Sequence, residues 1–129
     1  MSGNANVSKT VLLVDDLDSL RTMLRDFLES MGLRVLQASN AAEAIQIARS
    51  HLGKIDLLLS DIEMPGMSGW ESAKKIAGLK PGIRVLYMSA GVSLEDSNSG
   101  SEIPFGAYLI AKPFRLEELK ILVMSILEK

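Results

Sequence analysis

Four short apolar runs in this 129-residue chain lead into side chains that can do chemistry. Residues 11–14 end in Asp15 and Asp16, residues 57–59 lead to Asp61, residues 83–88 to Ser89, and residues 108–111 to Lys112. A carboxylate at the carboxyl end of a buried strand sits where open α/β sheets keep their sites. Packed together, three carboxylates repel and favour a bound cation. Oxygen ligands with open positions suit Mg²⁺, which retains several waters. One carboxylate can then act as nucleophile toward a phosphoryl group. The metal, the lysine and the hydroxyl would hold that group's equatorial oxygens. The resulting acyl phosphate is reactive, which suits a temporary switch. On local sequence alone a plainer reading stays open. Asp61 could cap a following helix, Asp15 and Asp16 could be first-turn acids, and Ser89 could be a turn hydroxyl.

Convergence depends on the elements that carry these groups. The run at 56–61 is apolar enough for a buried central strand, and Pro65 and Gly66 open the loop behind it. A first helix is predicted over residues 17–31, with Leu17, Leu20, Leu24, Phe27, Leu28 and Met31 on one stripe and Gly32 ending it. Arg21, Arg25, Asp26 and Glu29 occupy its opposite face. Residues 33–38 read as a strand. A helix capped by Ser39 or Asn40 follows, carrying Ala41, Ala44, Ile45, Ala48 and Leu52 on one face and closed by Gly53. Ser68 with Glu71 forms a capping box for a helix reaching Leu79. Residues 92–105 lack a helical stripe, so a fourth helix there, at most a turn or two near 94–97, is expected to be weak or mobile. A last helix spans residues 116–127. Five strands alternating with helices imply a five-stranded parallel sheet covered on both faces. If the sheet takes the doubly wound order 2-1-3-4-5, the four strand ends converge in one crevice.

Composition narrows the function classes. Hydrophobic residues make up 47% and charged residues 23%, which excludes disorder over most of the chain. A formal net charge of −2 gives no sign of a nucleic-acid or membrane surface. The absence of cysteine removes disulfides, thiolate catalysis and cysteine metal sites. No apolar run approaches the roughly 20 residues of a transmembrane helix, and no signal peptide is visible. Residues 1–8 are expected to form a flexible lead-in and residues 9–129 one cytoplasmic domain.

The runs ending in Asp15-Asp16, the stretch from Asp61 through Pro65-Gly66 to Ser68-Gly69, Met88-Ser89-Ala90 and Lys112-Pro113-Phe114 together resemble the receiver domains of two-component response regulators. The resemblance covers nearly the whole chain. It implies that Asp61 is the phosphoacceptor and that Asp15 and Asp16 form the acidic pair at a Mg²⁺ site. It further implies that the Glu63 backbone carbonyl completes the metal shell, that Ser89 is the switch hydroxyl, and that Lys112 is the family's lysine, with a cis bond to Pro113. The implied phosphoryl source is the phosphohistidine of a sensor histidine kinase or histidine phosphotransfer protein. The implied role is a signalling switch that catalyses its own modification and dephosphorylation, not a metabolic enzyme. The alternatives are a small Mg²⁺-dependent aspartyl-phosphate phosphatase and a degenerate receiver that only binds. A free-standing regulator and a domain from a hybrid kinase both fit.

Two departures from the family pattern stand out. Receivers commonly carry an aromatic three residues before the lysine. Here that position is Leu109, with Tyr108 one residue earlier, so either a bulge realigns Tyr108 or aromatic coupling is lost. The weak element before Tyr108 also falls where receivers usually move. Glu63 and Gly91, each two residues past a site residue, are expected to flank the path of a hydrolytic water. His51 reads as a solvated helix-end residue, and Trp70 as packed or half-packed at the start of its helix. Ile121 and Met124 fall well outside the core arc of the last helix. They are expected to belong to a docking surface for a dimer mate or downstream protein, with no equally outlying aliphatic on the first helix.

Overall fold

The computed structural model describes residues 8–90 and 107–128. Its strands are β1 (Thr10–Val14), β2 (Arg34–Ala38), β3 (Leu57–Asp61), β4 (Arg84–Ser89) and β5 (Tyr108–Ala111). Its helices are α1 (Asp18–Ser30), α2 (Ala41–Ser50), α3 (Gly69–Leu79) and the C-terminal α4 (Leu116–Leu127). All strand pairs are parallel, as the alternation implies, and the order is β2-β1-β3-β4-β5, the doubly wound order under which the strand ends converge. The crossover between Ser89 and Tyr108, where a weak helix is expected, lies outside the described residues, as does Gly91.

Period-two alternation divides the sheet's apolar residues between its faces. Leu12, Val14, Leu58 and Tyr87 pack with Ala41, Ala44 and Ala48 of α2 and with Ala73 and Ile76 of α3. Val11, Leu13, Leu57, Leu59, Leu86 and Met88 pack with Leu24 and Leu28 of α1 and with Leu119, Val123 and Ile126 of α4. Both faces are covered, which is why β1 and β3 are buried at every position.

Gly32, at φ +88°, closes α1 in a Schellman motif: its N–H donates to the Glu29 carbonyl and the Leu33 N–H to Leu28. Leu17, expected on the buried stripe, stands before α1 in extended backbone and is 56% exposed. Leu52, expected on the buried face of α2, is fully exposed because the helix ends at Ser50. Gly53 therefore does not close it. Extended backbone at His51 ends the helix, and Lys80 Nζ takes the His51 and Gly53 carbonyls at 2.6 and 2.9 Å. Asn40 is the N-cap of α2, its side chain accepting the Glu43 N–H at 2.8 Å. Ser68 caps α3 by accepting the Glu71 N–H at 3.2 Å. Arg84 Nη1 donates to the Ile126 carbonyl at 2.6 Å, placing a cation at the negative end of α4.

β5 pairs with β4 in unbroken register from Tyr108 opposite Leu86 to Ala111 opposite Ser89. Tyr108 faces the α1–α4 side and Leu109 the α2–α3 side. With no bulge in that register, Tyr108 is not realigned and Leu109 occupies the position where an aromatic is common. Trp70 is half-buried against Tyr87, ring centroids 4.4 Å apart and planes inclined by 64°. Ile121 and Met124 are 66% and 41% exposed. On α1, Met23 is 46% exposed one residue from the buried Leu24, at the margin of the apolar stripe and less far out than Ile121 and Met124 are on α4.

Candidate functional site

The carboxyl ends of β1, β3, β4 and β5 converge as parallel topology requires. Asp15 follows β1 fully buried, with its N–H bonded to the Ala38 carbonyl at 3.2 Å. Asp61 ends β3 at 6% exposure. Ser89 ends β4 fully buried, and the Lys112 N–H donates to the Ser89 carbonyl at 2.8 Å, which brings the turn after β5 beside it. The peptide bond between Lys112 and Pro113 is cis, as the family resemblance implies.

One ammonium bridges two of the carboxylates. Lys112 Nζ lies 3.2 Å from Asp61 Oδ2 and 3.4 Å from Asp15 Oδ2. The remaining oxygens are held by backbone: Asp15 Oδ1 accepts the Leu17 N–H at 2.9 Å and Asp61 Oδ1 accepts the Glu63 N–H at 3.1 Å. Burial pushes the Asp61 carboxyl above the ordinary aspartate value and the nearby Asp15 charge adds to this, while Lys112 opposes both. Partial burial alone would lower the Lys112 ammonium, but Asp15 and Asp61 together raise it, so it stays charged at neutral pH.

Asp16 completes an acidic trio. Asp15, Asp16 and Asp61 each offer one oxygen within 4.8 Å of the others. Asp16 is exposed, whereas the other two are buried, so the trio opens to solvent on one side. Three carboxylates facing one ammonium leave uncompensated negative charge. Hard oxygen donors with an open side fit a small divalent cation that keeps part of its hydration.

Three contacts at this site had no clear signature in the sequence. Ser89 Oγ donates to Glu63 Oε2 at 2.7 Å, linking residues 26 positions apart. Arg21, read as part of a solvated face, folds back so that Nη1 donates to the Asp15 carbonyl at 2.8 Å while Nη2 pairs with Asp18 at 2.7 Å. Gly69 lies against the backbone of Asp61, so close that an added Cβ would fall 2.6 Å from the Asp61 carbonyl oxygen. Only Gly69 left a trace in the sequence, as a glycine opening a helix behind a capping serine.

An apolar groove of about 410 Å³ flanks the lysine, lined by Leu20, Met23, Ala90, Pro113 and Phe114. A wider cavity of about 630 Å³ opens at the amino-terminal edge of the sheet beside Lys9, Arg34, His51 and Asp56. It contains none of the converging residues, so size does not locate the chemistry here.

Residues 11–124 match the family model described as the response regulator receiver domain. The chain is 34% identical over 125 residues to the sensor kinase CckA of Brucella abortus, covering 95% of this chain and 13% of that kinase. It also spans only 10% of the sensor kinase/phosphatase LuxN of Vibrio harveyi. In contrast, it is 31% identical to the sporulation initiation phosphotransferase F of Bacillus subtilis across 88% of this chain and 90% of that protein. Among solved structures, the receiver domain of the hybrid histidine kinase CckA superposes with a TM-score of 0.77 at 32% identity, covering 92% and 98% of the two chains. A CheY-like receiver protein from Methanospirillum hungatei gives 0.81 at 28% identity, covering 94% of each.

Proposed function

The chain belongs to the response regulator receiver domains, and from that premise we propose that Asp61 is its phosphoacceptor. The observation that carries the proposal is the Lys112 ammonium between Asp61 and Asp15, beside a third carboxylate. In the proposed reaction a donor phosphohistidine approaches the crevice. An Asp61 oxygen attacks phosphorus, the P–O bond forms as the P–N bond breaks, and the imidazole leaves carrying a proton. Lys112 stabilises the charge developing on the phosphoryl oxygens. Ser89, once turned toward Asp61, offers a second donor. Asp15, Asp16, Asp61 and the Glu63 carbonyl would hold Mg²⁺, which neutralises phosphoryl charge when bound. Arg21 and the Leu17 N–H keep the Asp15 loop in place during transfer. Hydrolysis of the acyl phosphate resets the domain.

Phosphorylation then biases a two-state equilibrium, because the new charge recruits Lys112 and Ser89. The donor is a sensor histidine kinase or a histidine phosphotransfer protein, and the setting is cytoplasmic. No helix among the described residues is long and apolar enough to cross a membrane. The exposed pair Ile121 and Met124 on α4 contributes a docking surface for a second copy or a downstream protein.

The experiment supplies acetyl phosphate and Mg²⁺ and follows adduct formation and phosphate release, with p-nitrophenyl phosphate in parallel. A switch takes up at most one phosphoryl group per chain and leaves the ester intact. Sustained turnover of the ester would instead identify an aspartyl-phosphate phosphatase.

A further inference from the structure

Residue 63 is tied into the site at both of its ends. Its backbone N–H donates to Asp61 Oδ1 at 3.1 Å, and its carboxylate accepts the Ser89 hydroxyl at 2.7 Å. Ser89 is fully buried, whereas Glu63 reaches the site from the exposed loop after β3. A serine carries one O–H donor and can direct it to one acceptor at a time. Its present acceptor is a carboxylate oxygen. A phosphoryl oxygen on Asp61 would compete for the same proton, and its negative charge would repel the Glu63 carboxylate.

Building on the assignment of Asp61 as phosphoacceptor, we propose that Glu63 is a latch that holds the Ser89 hydroxyl in the unmodified state. Phosphorylation must break the Glu63–Ser89 bond before Ser89 can serve the phosphoryl group. The strength of that bond is therefore subtracted from the drive toward the phosphorylated state. Because Glu63 is exposed, its released carboxylate can return to water, so opening the latch strands no buried charge. Glu63 acts through Ser89 and is a positioning residue. Its side chain sets how far phosphorylation shifts the equilibrium.

The test is a double-mutant cycle on beryllium trifluoride affinity, measured by calorimetry at saturating Mg²⁺ with the phosphoryl mimic as the probe. Glu63→Ala keeps the backbone N–H and carbonyl and removes only the latch. It should bind the mimic about tenfold more tightly than wild type, about 1.4 kcal/mol. Glu63→Gln, which removes the charge but keeps an acceptor oxygen, should gain less. In a Ser89→Ala background the gain from Glu63→Ala should shrink at least about threefold, because the latch has no partner there. In metal-free protein, Glu63→Ala should also shift the Ser89 side-chain resonances, because its hydroxyl loses the carboxylate that now accepts from it. Equal gains in both backgrounds would reduce Glu63 to a remote charge and overturn the latch alone. Unmoved Ser89 resonances would overturn it equally. A wild type that binds no mimic at all would overturn the phosphoacceptor assignment, and the latch with it.

Discussion

The same substitution at two positions of α3 should have opposite effects. At Gly69 an ideal Cβ would lie 2.6 Å from the Asp61 carbonyl oxygen, 2.8 Å from the Ile62 Cα and 3.3 Å from the Asp61 carbonyl carbon. All three are backbone atoms, so no side chain can swing aside. Carbon atoms pack best at about 3.5–4.0 Å, so Gly69→Ala requires the start of α3 and the end of β3 to part by roughly 1 Å. That movement pulls on the bond from the Gly69 N–H to the Ile62 carbonyl, now 3.0 Å. Overpacking costs about 1–3 kcal/mol and a weakened hydrogen bond up to about 1 kcal/mol. Alanine's better helix propensity returns less than about 1 kcal/mol. The expected net loss is about 2 kcal/mol, or roughly 6–10 °C in Tm for a domain of this size. At Gly78, exposed in the last turn of α3, an added Cβ meets nothing within 4 Å. Gly78→Ala should stabilise by about 0.5–1 kcal/mol. Urea unfolding of both variants, with m-values held to wild type, measures the difference. A Gly69→Ala protein as stable as wild type would refute the close-approach argument, as would equal losses at both glycines.

Further expectations concern the acidic trio, a buried phenol and the α4 surface. Without metal, Asp16→Asn should leave stability within about 0.5 kcal/mol of wild type, because Asp16 is exposed and has no ion pair among the described residues. The variant should lose most of the stabilisation that Mg²⁺ gives wild type, about 2.7 kcal/mol at a hundredfold excess over Kd, and an undiminished gain on thermal unfolding would contradict the site. Burial pushes the Tyr87 phenol up to about 12, so only the unfolded chain ionises between about pH 10 and 12. Stability is fully present below pH 10 and about 2–3 kcal/mol is lost across that window. Tyr87→Phe should lose correspondingly less in alkaline urea melts, and an identical loss would remove burial as the cause. Ile121→Glu combined with Met124→Lys should leave the unfolding midpoint unchanged while weakening self-association in sedimentation, and unchanged assembly would count against a dimer surface there.

The parallel sheet and the strand ends on one edge were legible because both follow from short-range rules, whereas the order 2-1-3-4-5 was an expectation from the fold class that the sheet bears out. Apolar runs mark buried strands, alternation with helices implies parallel topology, and parallel topology puts every carboxyl end on one edge. Asp15, Asp61, Ser89 and Lys112 needed nothing further to be placed on that edge. What stayed hidden depends on distances that no local pattern encodes. Leu52 belongs to the helical stripe by spacing, yet the chain turns extended at His51 before reaching it, and Lys80, just past the end of α3, takes the loop carbonyls. Met23 sits at the margin of the α1 stripe, where spacing alone does not decide between burial and its 46% exposure. Arg21 looked solvated because its carbonyl acceptor lies in the preceding loop. The Glu63–Ser89 bond joins the loop after β3 to the end of β4, a proximity set by the pairing of those two strands.

The most direct test of the central assignment is to trap and map the phosphoryl group. After incubation with Mg²⁺ and acetyl phosphate, borohydride reduces an aspartyl phosphate to homoserine, and peptide mass analysis locates the converted residue. The account predicts one conversion per chain, at Asp61, dependent on Mg²⁺ and absent from Asp61→Asn. Conversion at another carboxylate, or a phosphate adduct that persists in Asp61→Asn, would contradict it.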